Sequence, residues 1–234
     1  MTNSINSVTS SYSVQTYASV APTTAVSAWT TQQIADIRPA DLASLKPASI
    51  TAMTTTQVNL LGTDVFAALT ATQVQALSNT QVSSLSTTNV AALTTDQVVA
   101  LRTDQVAALK TNQVAALTTA QVRALTLDQV ASLTTGQASQ LTSSQVGAMT
   151  GFQVEVMSTA DLVKLSSDAF TAISASNVQA LTTKQLNALT TDMVSQLTNT
   201  QTAALRTAQL NALSSDQLTA LTTSQIRALG TAQV

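Results

Sequence analysis

An octapeptide repeat runs without insertion or deletion from Trp29 to Val234, and this period constrains the fold more than any other feature. The 26 units, the last of them partial, resemble Leu-Thr-Thr-Asp-Gln-Val-Val-Ala at residues 93–100. The first position is apolar in every unit, the second is Thr or Ser in 19, and the fifth is Gln in 18. The sequence therefore divides into an arm or cap over residues 1–28 and a repeat domain over residues 29–234.

A period of eight residues limits the secondary structure. In one long α-helix the apolar positions would drift by about 80° per octad and never face one core. In a β-strand, the apolar first and sixth positions would fall on opposite faces. Ala, Leu and Gln favour helix. The period predicts a series of short helices, and a β-solenoid is the alternative.

The polar columns predict where each helix begins. Thr-x-x-Gln is a capping box, in which the Thr hydroxyl accepts from the third helical N–H while Gln reaches back to the Thr N–H. Pro39 and Pro47 would then occupy the first helical position, which favours Pro. Representative capping pairs are Thr94 with Gln97, Thr118 with Gln121, and Thr222 with Gln225.

Charged residues follow the same register. Nine of the eleven acidic residues lie at the fourth or fifth position, in the first turn of the proposed helix, where negative charge is favourable. The Asp spacing also permits a calcium interpretation, but the Gly-Gly-x-Gly-x-Asp motif of calcium repeats is missing. Helices of about six or seven residues, sharing one cap residue between neighbours, are too short to be stable alone. They predict an all-α solenoid, with three or four helices per turn left open.

The composition excludes much chemistry. The chain contains no Cys and no His, and 9% of its residues are charged, against about 25% in an average soluble protein. The usual general base, the commonest metal ligand and thiolate chemistry are therefore missing. We expect no enzyme activity, no cofactor and no metal. A net charge of −2 gives no reason to bind nucleic acid, and no apolar run approaches the roughly 18 residues of a membrane span.

The run Leu-Thr-Thr-x-Gln-Val-x-Ala over residues 29–234 resembles octapeptide tracts of large exported bacterial repeat proteins, which are often labelled adhesin-like or haem-utilisation proteins. This resemblance implies a bacterial origin and an extracellular or cell-surface location. Residues 1–28 lack the basic start and apolar run of a classical signal peptide. No His is available to ligate haem iron, so we expect no haem site.

These features favour a structural or interaction protein. The last unit ends like an interior one, so we expect an open apolar end that stacks head to tail on another copy, giving a stalk or filament. The alternatives are adhesion to a glycan or host protein, and ice binding through the regular Thr lattice. The irregular units over residues 141–172 predict a bend or a lateral contact, and Phe152 there occupies a polar column. The candidate contact residues are Phe152, Trp29, Tyr12, Tyr17 and Val234.

Overall fold

The computed structural model describes residues 26–231 and residue 233, and the regular structure in this part of the chain is entirely helical. The all-α prediction is confirmed, and the β-solenoid alternative is wrong for these residues, which form no strand. A single 3₁₀ turn, Val26–Ala28, precedes the α-helices. The helices are α1 (Thr31–Ala35), α2 (Pro39–Ser44), α3 (Pro47–Ala52), α4 (Thr55–Leu60), α5 (Thr63–Ala67), α6 (Ala71–Ala76), α7 (Asn79–Ser84), α8 (Thr87–Ala92), α9 (Thr95–Ala100), α10 (Thr103–Ala108), α11 (Thr111–Ala115), α12 (Thr119–Ala124), α13 (Leu127–Ala131), α14 (Thr135–Ala138), α15 (Ser143–Ala148), α16 (Gly151–Val156), α17 (Thr159–Leu162), α18 (Ser167–Thr171), α19 (Ala175–Val178), α20 (Thr183–Ala188), α21 (Thr191–Gln196), α22 (Asn199–Ala204), α23 (Thr207–Leu210), α24 (Ser215–Thr219) and α25 (Thr223–Ala228).

Each helix occupies the same part of its octad. The second-position residue is an extended N-cap, as at Thr94 with φ −70° and ψ 161°, and the helix begins at the third position. The first-position residue before it is extended as well, as at Leu189 with φ −62° and ψ 141°. Two extended residues therefore separate successive helices, where the sequence predicted one shared cap. The additional extended residue lets the first-position side chain turn into the core.

The helices form three parallel stacks around one core. Each helix packs on the third helix before it and the third after it, so that α9 contacts α6 and α12. Three octads, or 24 residues, therefore make one turn of the solenoid. This settles the choice between three and four helices that the sequence left open.

The core is a continuous apolar column along the solenoid. It joins the first-position and sixth-position side chains from Val26 to Leu221, and each regular turn contributes three of each. Phe66 and Phe170, both at the sixth position, are the largest fully buried side chains. Fully burying a Leu or Val side chain is worth about 1.5–3 kcal/mol, so this column supplies the main driving force for stacking such short helices.

Candidate functional site

The fifth-position glutamines lie inside the solenoid although their side chains are polar. From Gln57 to Gln225, none of them is more than 6% exposed. A buried amide that makes no hydrogen bonds destabilises the fold, so each of these side chains needs partners for both its oxygen and its nitrogen. The two ends of the amide have different partners.

The amide oxygen serves the start of its own helix. Thr94 N–H donates to Gln97 Oε1 at 2.8 Å, and Gln97 N–H donates to Thr94 Oγ1 at 3.2 Å. Where the cap residue is cationic it has no acceptor, so only the first of these bonds forms, as between Arg102 N–H and Gln105 Oε1 at 2.8 Å. The same reciprocal bonds join Thr118 with Gln121 and Thr222 with Gln225.

The amide nitrogen reaches the turn before. Gln97 Nε2 donates to the Leu69 carbonyl at 2.8 Å and to the Phe66 carbonyl at 3.2 Å. These acceptors lie 28 and 31 residues earlier, where α5 ends, and helix ends leave carbonyls without intrahelical partners. One side chain thus completes the start of its own helix and the end of a helix in the preceding turn.

This second role is not evident from the local sequence, because the capping box already explains the glutamines. A signal was present in the fifth column, which contains 18 Gln and no Glu. A capping box accepts either residue, but only the amide has an NH₂ group that can donate to a carbonyl. Selection of the amide over the acid indicates a donor role that local capping does not require.

The amides form continuous hydrogen-bonded chains along the solenoid axis. Gln81 Nε2 donates to the Met53 carbonyl at 2.7 Å, and the N–H of the same peptide group, on Thr54, donates to Gln57 Oε1 at 2.8 Å. Gln57 Nε2 then donates to the Trp29 carbonyl at 3.0 Å. We call these chains the glutamine ladders, one in each stack, and every donor points towards the earlier turn. Bonds linked in this way polarise and strengthen one another.

Eight fifth positions interrupt the ladders. The Asn89 side chain is one methylene shorter than Gln, and its buried Nδ2 has no hydrogen-bond partner. The N–H of Ser86, its cap residue, instead donates to Asn59 Oδ1 at 2.9 Å. The interrupting residues are Asp41, Ser49, Val65, Asn89, Asp161, Ala169, Asn177 and Met193.

Three of these interruptions coincide in residues 157–180, which we call the break turn. Asn177 Nδ2 donates to one carbonyl, that of Met149, at 2.7 Å. The Asp161 carboxylate accepts from the Ser158 hydroxyl at 2.6 Å and has no N–H to offer, while Ala169 has no polar side chain. Asn177 accepts no bond from the Ser174 N–H in the described contacts, so the chain of bonds in all three ladders is broken in the same turn.

The break turn lies close to the turn before it. A Cβ atom at Gly147 would lie 3.4 Å from the Ala172 carbonyl oxygen, and one at Gly151 would lie 3.3 Å from the Ala180 Cβ. Phe170 fills the core beside Ala169. Small residues and one large apolar side chain thus replace the glutamine contacts.

Arginines at the second position also bridge turns. The guanidinium groups of Arg102 and Arg206 donate to the carbonyls of Gln75 and Gln179, each 27 residues earlier. Arg102 also pairs with Asp104 at 3.0 Å, and this hydrogen bond lowers the pKa of the Asp104 carboxyl. These two arginines therefore serve the end of a helix one turn earlier in the solenoid.

The predicted contact residues have different surroundings. Phe152 on α16 is 70% exposed, and Leu127 on α13, one turn earlier in the same stack, is 43% exposed. Trp29 lies in the core, so its side chain is not available at the surface. Tyr12, Tyr17 and Val234 lie outside the described residues.

The last described turn exposes part of the core column. Leu218 and Ile226 are 43% and 47% exposed, although the sixth position is buried in interior turns, as at Val98 and Val122. Within the described residues the Leu213 and Leu221 carbonyls receive no hydrogen bond, whereas the equivalent Leu189 carbonyl accepts from Gln217 at 2.7 Å. We call this surface the end face. It presents apolar side chains and hydrogen-bond acceptors.

The part of the chain that the structure covers contains neither a metal-binding cluster nor a membrane-spanning helix. It holds no group of three or more acidic side chains placed to bind a metal ion. None of its helices is long and apolar enough to cross a membrane.

Comparison with known protein families gives a match. A family model described as the ALTTAQ repeat matches residues 34–71, 66–103, 74–111, 98–135, 154–191 and 194–231, which together cover more than half of the chain. The matches leave out residues 136–153, which contain Phe152. No curated protein matches the chain.

Proposed function

The chain belongs to the ALTTAQ-repeat family, and on that premise we propose that it is a non-enzymatic structural protein that builds a stalk or filament by stacking copies end to end. The observation that carries this proposal is the uniformity of the contact between turns, in which each turn offers apolar side chains and carbonyl acceptors to the next, as Leu189 does to Gln217 at 2.7 Å. Each interior turn is covered by another turn of the same repeat, and a turn from a second copy has the residues to make the same contacts with the end face.

The direction of the ladders makes such stacking head to tail. The Nε2 groups of the ladder glutamines, as the structure describes them, donate towards the N-terminal side, so the end face presents acceptors. Two end faces brought together would set acceptors against acceptors, which is unfavourable. Stacking along the solenoid axis displaces each copy along that axis, so this head-to-tail contact does not close into a ring and produces a filament.

The test is the assembly state of the full chain over a range of concentrations, by light scattering and negative-stain electron microscopy. We expect elongated particles that shorten to monomers when Leu218→Ser and Ile226→Ser are combined. Val99→Ser is the matched control, because Val99 is 46% exposed on the side of the solenoid and its loss should leave the assembly intact. A wild-type chain that stays monomeric at every concentration would contradict the proposal.

Adhesion to a glycan or host protein is the second candidate, favoured by Phe152 and Leu127 on one stack. An exposed aromatic ring and an exposed aliphatic side chain on adjacent helices of one stack are apolar groups of the kind found at binding sites. Phe152→Ser should abolish binding to host-cell or glycan surfaces, while Val99→Ser retains it. Equal binding by both variants would exclude this role for the patch.

Two other expectations stay predictions. The extracellular location rests on the resemblance of the repeats, and cell fractionation with an antibody against the chain would test it. Ice binding through the threonine lattice is tested by thermal hysteresis. The second-position hydroxyls in that lattice already accept hydrogen bonds as N-caps, as at Thr94 and Thr118, which leaves the third-position threonines to face ice.

A further inference from the structure

We propose that the break turn divides the solenoid into two separately cooperative blocks and is the place where the protein opens first. The blocks are residues 53–156 and residues 181–231, in which most fifth positions hold Gln. This inference concerns the interior of one chain and does not depend on end-to-end stacking.

The hydrogen bonds across the two kinds of boundary differ sharply. Between regular turns each glutamine donates to two carbonyls of the preceding turn, as Gln121 Nε2 does to Leu93 at 2.7 Å and Val90 at 2.9 Å. Three such glutamines in residues 117–140 donate to carbonyls of the turn before them. Between the break turn and the turn before it, Asn177 provides the single side-chain hydrogen bond of this kind among the described residues.

The boundary also leaves polar groups unmatched. In the described contacts, the carbonyls of Leu133 and Leu141 receive no hydrogen bond, although both residues are buried. The fifth-position partner of Leu133 is Asp161, whose carboxylate is itself an acceptor, and the partner of Leu141 is Ala169. Unmatched buried carbonyls favour any opening that lets water reach them.

In a solenoid, the loss of hydrogen bonds between two neighbouring turns can divide the whole chain into separate cooperative units. Each turn contacts only its neighbours, so cooperativity passes along the molecule only through the boundaries between turns. The apolar column is continuous through Leu162 and Phe170, which keeps the break turn folded. The ladders stop, however, and with them stops the mutual polarisation of the amides.

The opposing possibility is that close packing compensates for the lost bonds. A Cβ atom at Gly147 or Gly151 would lie 3.4 or 3.3 Å from the break turn, and the ring of Phe170 is buried, so the two turns are in close contact without a glutamine. If that packing were sufficient, the chain would unfold as one unit and its interior turns would exchange hydrogen at similar rates.

Hydrogen exchange by mass spectrometry and scanning calorimetry on the full chain distinguish the two cases. We expect amides of residues 157–180 to exchange at least about tenfold faster than those of residues 117–140, and the melting curve to show two transitions. Uniform exchange across residues 117–204, together with a single transition, would overturn the proposal.

Restoring two ladders gives the sharper test. Asp161→Gln combined with Asn177→Gln should slow exchange in the break turn at least about tenfold and merge the two transitions. Asn89→Gln is the matched control, because it adds a glutamine elsewhere and should leave two transitions. A restored variant with unchanged exchange in residues 157–180 would contradict the proposal.

A second variant, which copies the residues of the break turn into a regular turn, tests the proposal even if the restored variant fails to fold. Gln121→Ala, Gln129→Asn and Gln137→Asp together copy the break-turn residues, stack by stack, into residues 117–140. We expect a second fast-exchanging turn at that place, with residues 53–100 unaffected. Fast exchange spread over the whole chain, or none at the transplanted turn, would overturn the proposal.

Discussion

Two turns of the same length show what the glutamines contribute. Residues 117–140 and the break turn at 157–180 share the octad, the buried first-position residues and the N-caps. Thr118 Oγ1 accepts from the Gln121 N–H at 3.2 Å, and Ser166 Oγ accepts from the Ala169 N–H at 3.2 Å. The helices therefore begin in the same way with or without Gln. What differs is the connection to the turn below, so the cap forms the helix while the glutamine amide holds successive turns together.

The largest effect should come from removing a ladder amide in a regular turn. Gln129 accepts from Thr126 N–H at 2.8 Å and donates to Leu101 at 2.7 Å. Gln129→Met keeps a similar volume, and Met193 shows that the column accepts Met. We expect a loss of about 2–4 kcal/mol of unfolding free energy, because buried partners are left unpaired. Urea denaturation measures it.

The control for this change is Gln75→Met, since Gln75 is exposed at the seventh position. It should alter stability by no more than about 0.5 kcal/mol. Equal losses for Gln129→Met and Gln75→Met would show that the ladder amides do not connect the turns.

A smaller change, a gain in unfolding free energy, is expected from restoring a missing glutamine to a ladder. Asn89→Gln lets the amide, now unpartnered, reach the carbonyl 28 residues earlier, and should stabilise the chain by about 1–2 kcal/mol. Asn177→Gln should give less, because Asn177 already donates to Met149. Thermal melts of both variants rank them, and a destabilised Asn89→Gln chain would contradict the ladder geometry.

The caps should behave alike in both turns. Thr118→Ala and Ser166→Ala should each cost about 1 kcal/mol, because N-capping is local and does not involve the neighbouring turn. Chemical denaturation of the two variants compares them. A cost confined to Thr118 would mean that capping and the ladder are not separable.

The smallest effect is that of pH. The hydrogen bond from Arg38, at 2.7 Å, lowers the pKa of Asp41 below its ordinary value of 3.8. The charged carboxylate therefore favours the folded state above pH 3.8, and this contribution is lost as the pH falls through the folded-state pKa. The pair is partly exposed, so the loss is small.

The ladders carry no charge, so their contribution should not vary with pH. Melting temperatures should stay flat from pH 7 to 5 and fall slightly below about pH 4, and Asp41→Asn should lessen that slight fall, the remainder of which belongs to Asp104. A steep loss above pH 5 would point to a titrating group within the solenoid that these contacts do not include.

Much of the fold follows from the columns of the repeat, and the reasons are local. Thr94 and Gln97 have the residue types that begin a helix, and the apolar first and sixth positions identify the core side chains. The number of helices per turn does not follow, because it depends on the backbone angles of two extended residues such as Leu93 and Thr94, which many sequences can adopt.

The long-range contacts were the harder part to predict. The partner of Gln97 lies 28 residues away, and nothing near Gln97 in sequence indicates Leu69. The absence of Glu from the fifth column was the available signal. The irregular stretch of the sequence, residues 141–172, overlaps the break turn, but its most unusual residue is Phe152, and the fifth positions Asp161, Ala169 and Asn177 stand out less.

The most direct test of the ladders is residue-resolved hydrogen exchange by NMR at the second-position N–H groups. These amides normally have no partner at a helix start, and here Gln Oε1 accepts from them. Thr118, Thr126 and Thr134 should be protected, while Ser158, Ser166 and Ser174 should exchange roughly tenfold faster or more. Equal exchange in the two groups would contradict the claim that buried glutamine amides join the turns.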